Sequence, residues 1–154
     1  MFFWAATSVA CAEPIALSLP VDCTLGESCY IQHYVDRDPG PAVRDFGCGT
    51  ATYEGHDGTD FALPTLAEMR AGVAVLAAAP GTVRALRDGE ADGAFVAGQS
   101  VAKKECGNGV VIDHADGWQT QYCHLREGSI TVHPGESVAA GTKLGLVGMS
   151  GQAE

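Results

Sequence analysis

A histidine and an aspartate stand four residues apart in Gly55-His56-Asp57-Gly58-Thr59-Asp60. Imidazole nitrogen and carboxylate oxygen are both zinc ligands. Spacing alone does not make them a site. On a flat strand, positions four apart lie about 13 Å from one another, too far to share a small cation. A helix would put them on one face, but two close glycines and Thr59 disfavour a helix here. A turn at Gly58 would bring ring and carboxylate together. The segment therefore reads either as ordinary turn residues or as a pair of metal ligands.

His124 is the second candidate. It follows Tyr122-Cys123 at the end of an alternating run and reads either as a structural hydrogen-bonder or as a catalytic imidazole. The remaining histidines carry less. His114 stands beside Asp113 at a hairpin entrance and reads as a turn residue. His133 precedes Pro134-Gly135 with no obvious acidic partner, and His33 lies in an irregular stretch. These are read as structural or exposed.

The elements that must position these groups are short. Thr59 to Leu63 alternates weakly before Pro64, and Ala67 to Ala71 fits a single helical turn. The apolar run Gly72 to Ala79, then Pro80-Gly81, then Thr82 to Leu86 reads as two strands joined by a tight turn. Gly109–Asp113 and Trp118–His124 form a hairpin around Asp116-Gly117, a strong turn pair. Ile130-Thr131-Val132, Val138 and Lys143 to Val147 complete the strands, and Asp88 to Gln99 is a polar loop. The expected fold is all-β, mainly an antiparallel roll or sandwich. In front of it lies an irregular, cysteine-containing N-terminal segment.

Cys106 and Cys123 are nearly equidistant from the hairpin turn. Opposed residues in an antiparallel pair have Cα atoms about 4.5–5.5 Å apart, which a disulfide accepts. A Cys106–Cys123 bridge is expected, unless Gly107 and Gly109 introduce a bulge. Strict alternation would put Thr120, Tyr122 and His124 on one face and Gln121 and Cys123 on the other. The pairing of Cys23, Cys29 and Cys48 stays open.

Composition narrows the function. The chain has 154 residues, 46% of them hydrophobic and 18% charged, which suits one globular domain with a real core. A net charge of −10 repels phosphate backbones, so nucleic acid is not an expected partner. No basic stripe suggests an anionic membrane surface, and nothing beyond the leader is long enough to span a bilayer. The apolar start ends at Ala10-Cys11-Ala12, which fits a secretory cleavage pattern. Residues 1–12 are therefore expected to be a signal-peptide remnant. Residues 13–52 are read as an extension and 53–154 as the main domain. With no Cys-x-x-Cys pair, the cysteines read as disulfides of an exported, periplasmic or extracellular protein.

Taken in order, these segments resemble the lysostaphin/LytM-type metallopeptidases. Gly55-His56-Asp57-Gly58-Thr59-Asp60-Phe61 is similar to that family's first metal motif, His-x-x-x-Asp. Pro80-Gly81-Thr82-Val83, Gly107 to His114, Thr120-Gln121-Tyr122-Cys123-His124-Leu125 and Val132 to Gly151 resemble the segments that follow it. The resemblance implies a β-roll of the duplicated hybrid motif type. It implies Zn²⁺ held by His56 and Asp60, with His124 as a catalytic histidine. The activity implied is hydrolysis of peptide bonds, typically in peptidoglycan, where the metal activates water and polarises the carbonyl. The family's closing His-x-His, source of the third zinc ligand, is not reached by Ser150-Gly151-Gln152-Ala153-Glu154. The expectation is therefore a fragment, weak in zinc and inactive by itself. A non-catalytic module that binds peptidoglycan or activates another hydrolase is the competing reading. A metal-free extracellular β-domain ranks last.

Overall fold

The computed structural model describes residues 14–93, 96 and 100–153. The proposed leader and part of the 88–99 loop lie outside the described residues. Strands dominate: β1 Tyr30–His33, β2 Asp60–Ala62, β3 Ala74–Leu76, β4 Gly81–Arg87, β5 Asn108–Asp113, β6 Gln119–Leu125, β7 Ser137–Val138 and β8 Lys143–Leu146. The helix α1, Leu66–Ala71, is short, capped by Thr65 and ended by Gly72 at φ 100°. Every pairing between these strands is antiparallel, so the all-β expectation holds.

The main sheet has the order β6-β5-β4-β7, with β5 at its centre. Its sequence, Asn-Gly-Val-Val-Ile-Asp, is buried on both faces over much of its length. Val110 and Ile112 are fully buried and join Val83, Tyr122, Leu125, Val132, Val138 and Leu144 in one core. The sheet β3-β8 and the sheet β1-β2 are the other two.

Two strand expectations need correction. β3 and β4 are not a hairpin: β3 pairs with β8, and β4 with β5 and β7. Between them Ala77, Ala78 and Ala79 are buried. Their backbone bonds go elsewhere, with Ala77 N donating to Thr142 O and Gly141 N to Ala77 O. Small side chains let the chain pass through the core from one sheet to the other. Residues 130–132 are not a strand. Thr131 N donates to Leu144 O, and Val132 is held by burial in the core.

The β5–β6 hairpin is as read. Asp116 and Gly117 both have positive φ, as the primed hairpin turns require. The Cys106–Cys123 disulfide forms, with Cα atoms 4.7 Å apart. A bulge is present too, but its extra residue lies on β6. Val110 pairs with Tyr122 and Asn108 with Leu125, so three β6 steps match two on β5. The phase therefore slips, and Tyr122 and Leu125 both reach the core. Strict alternation through His124 fails, because His124 takes a left-handed φ of 59°.

The N-terminal segment is less irregular than expected. Cys23–Cys29 closes a loop within it and Cys48 is a free thiol. Two carboxylates organise the rest. Asp36 accepts from the backbone N–H groups of Arg44, Asp38 and Gly55. Asp45 accepts from Gly49, Ala51 and Gly47. These bonds favour the ionised form and hold both carboxyls below their usual range, Asp36 chiefly through Arg44 and Asp45 chiefly through Gly49.

Two outcomes are expected. A Cys106→Ser/Cys123→Ser variant should lose about 3 kcal/mol in urea unfolding, the chain-entropy value for a loop of this size; an unchanged midpoint would show that the bridge adds nothing. For Asp36 and Asp45 the folded pKa lies below the unfolded one, so their stabilisation is complete above about pH 4 and lost as pH falls through the folded value. Asp36→Ala should lower the neutral-pH urea midpoint and flatten its decline below about pH 4; an equally steep decline would exclude this role.

Candidate metal centre

The turn before β2 does what the spacing required. The chain bends at Gly58, so that His56 Nε2 lies 3.2 Å from Asp60 Oδ1, and a turn just before it has His56 N donating to Tyr53 O. The ring is buried while the Asp60 side chain is 41% exposed, so the pair has a buried base and an open mouth. Tyr53 stacks on the His56 ring at 4.4 Å between centroids.

The other ring nitrogen determines what this contact means. His56 Nδ1 lies 2.8 Å from Tyr34 O. A backbone carbonyl can only accept, so Nδ1 carries a proton. In the neutral ring Nε2 then presents a lone pair to a carboxylate oxygen. A second ring proton or a shared cation would make that contact favourable. Two ligands about 2.0–2.1 Å from a tetrahedral zinc are about 3.3 Å apart, close to the 3.2 Å found here. Donation of the non-ligating N–H to a carbonyl is also the usual support for a metal-binding histidine. The pair therefore fits two corners of a zinc site. Among the described residues, no group of three or more His, Cys, Asp or Glu side chains is arranged to hold a metal ion.

His33 adds a contact that sequence reasoning missed. Its Nδ1 donates to Asp60 Oδ2 at 3.1 Å, so each carboxylate oxygen faces a different imidazole. Its ring also meets Tyr53 edge-on at 5.4 Å. No local pattern signals this, because β1 and β2 are brought together only by pairing across 27 residues of sequence.

His124 sits apart in bonding terms. Its Nδ1 donates to Ser150 O at 2.8 Å and its backbone N to Cys106 O at 2.8 Å. No hydrogen bond or ion pair joins it to His56 or Asp60 among the described residues. Its positive φ is uncommon for a residue with a side chain. The bond at Nδ1 leaves Nε2 as the nitrogen able to accept a proton.

The other histidines have structural partners. His114 donates from Nδ1 to Pro80 O and meets Thr120 Oγ1 through Nε2, both at 2.8 Å. Thr120 Oγ1 in turn bonds Tyr122 Oη, which accepts from Ala78 N. His114 therefore braces the passage from β3 to β4 against the hairpin. His133, read as lacking an acidic partner, has one: Nδ1 is 3.7 Å from Glu136 Oε2, on an exposed turn.

No helix among the described residues is long and apolar enough to cross a membrane. No curated protein matches the chain. A crystal structure assigned to peptidase M23, from Pseudomonas aeruginosa, aligns with a TM-score of 0.49 and 25% identity, over 94% of this chain and 43% of that one. A zinc-containing peptidase from Vibrio cholerae aligns with a TM-score of 0.47 and 25% identity, over 79% of this chain and 33% of that one. The chain thus spans less than half the length of either structure. Residues 54–154 match the model of peptidase family M23. That match begins at the turn carrying His56 and Asp60, runs through β6 and His124, and covers well over half of the sequence; the chain belongs to peptidase family M23.

Proposed function

We propose that the protein is a zinc-dependent endopeptidase of exported peptidoglycan metabolism, with residues 53–154 as the peptidase domain and 13–52 as its extension. The observation that carries this is His56 Nε2 facing Asp60 Oδ1 at 3.2 Å inside the family match. His56 and Asp60 would supply two of the zinc's ligands. When bound, zinc supplies Lewis acidity, polarising a carbonyl and lowering the pKa of water.

The chain's own residues then have separate tasks. Tyr34 O fixes the His56 tautomer, and Tyr53 covers one face of the ring. His124 is the proposed acid–base residue. Its Nδ1–H is committed to Ser150 O, so Nε2 can take a proton from an attacking water or hydrogen-bond a developing oxyanion. The bulge and the disulfide fix the backbone on either side of it. Two disulfides favour an oxidising compartment. The acidic balance argues against nucleic acid and is compatible with a peptide partner.

Zinc content and hydrolysis of peptidoglycan peptides test this together. His56→Ala and Asp60→Ala should each abolish zinc binding; the same zinc stoichiometry in His56→Ala would exclude the site. In the peptidase with its zinc site completed by a third ligand, His124→Ala should retain the metal but slow hydrolysis by about 100-fold or more; wild-type turnover in that variant would remove His124 from catalysis.

A further inference from the structure

β1 lies N-terminal to the residues matched by the family model, yet, besides the contact between them, the side chains of His56 and Asp60 each have a polar partner in it or in the residue after it. Tyr34 supplies the carbonyl on His56, and His33 supplies the N–H on Asp60 Oδ2. The pairing of β1 with β2 shows how His33 gets there. Tyr30 pairs with Ala62 and Ile31 with Phe61, so a regular ladder would put Gln32 opposite Asp60. A register shift puts His33 there instead. Bulges of this kind re-aim a side chain next to a site.

Building on the zinc reading above, we propose that His33 is a positioning residue for the metal: by holding Oδ2, its Nδ1–H turns Oδ1 of Asp60 toward His56 Nε2. A free carboxylate rotates about its last bond and presents either oxygen. With Oδ2 held by His33 at 3.1 Å, Oδ1 is left for the cation. Partners of this type on ligating carboxylates typically contribute 10–100-fold in metal affinity. The His33 side chain is 31% exposed, and its two ring contacts are with Tyr53 and His56. The groups around it thus belong to the site and not to the main core.

The test is a zinc titration of the full-length protein against a competing chelator. His33→Leu, which keeps bulk and removes the donor, should bind zinc about 10–100-fold more weakly than wild type. His33→Asn, whose amide nitrogen stands near the Nδ1 position, should recover most of that loss. Wild-type affinity in His33→Leu, with binding still lost in His56→Ala, would overturn the role of His33 and leave the zinc site standing. Retained binding in His56→Ala would instead overturn the zinc reading. Nitrogen NMR of the cadmium-substituted wild type gives a readout independent of any variant's folding. Metal coupling should be seen at His56 Nε2 and not at His33; coupling at His33 would make it a ligand and overturn the positioning role.

Discussion

The hydrogen bond from His56 Nδ1 to Tyr34 O constrains everything around it. An acceptor that can never donate decides which ring nitrogen is protonated, and so which one is available. The bond does not act alone. Asp36 N donates to His56 O, and Asp36 Oδ2 accepts from Gly55 N. Residues 34–36 therefore grip residues 55–56 at three atoms, two on the backbone and one on the ring. The loop carrying His56 is shaped by chain that precedes it.

The second constraint acts on His124. A bulge on β6 lets Tyr122 and Leu125 both enter the core, and His124, one of the two residues between them, is left with positive φ. A left-handed backbone at a residue with Cβ costs of order 1–3 kcal/mol and survives only where the surroundings impose it. Here they do. The adjacent Cys123 is tied to Cys106, the His124 N–H bonds Cys106 O, and the ring bonds Ser150 O. Gly107 belongs to the same arrangement. A Cβ there would come within 2.4 Å of the Ser150 backbone, so only glycine allows the 150–151 turn to lie against the start of β5.

What could be read from the chain was local. The Asp116-Gly117 turn, the Cys106–Cys123 bridge and the need for a bend at Gly58 all follow from neighbouring residues, and all are present. What could not be read depended on pairing between distant segments. The apolar runs flanking Pro80-Gly81 look like a hairpin, because nothing in their composition says that β3 will choose β8. The β6 bulge arises from core demands on Tyr122 and Leu125 together, which a period of two conceals. His33 was assigned to an irregular stretch because its partner, Asp60, lies on a different strand. The error has one physical source: strand order and register are tertiary decisions.

The site's own ion pairs are poor candidates for holding it together. Asp60 is substantially exposed, and exposed pairs contribute about 0–1 kcal/mol at most. Backbone acceptors and donors instead hold the loop, through Tyr34 O, Tyr53 O and Asp36, and the larger framework is held by the β5-centred core. This division leaves the Asp60 carboxylate outside the backbone bonds that hold the loop. A carboxylate that were needed to hold the fold would have its lone pairs committed to backbone N–H groups, as those of Asp36 and Asp45 are. Among the described residues, the hydrogen-bond partners of the Asp60 carboxylate are imidazoles. A carboxylate oxygen and an imidazole nitrogen kept side by side, each without an obligatory backbone partner, are what a cation-binding pair requires.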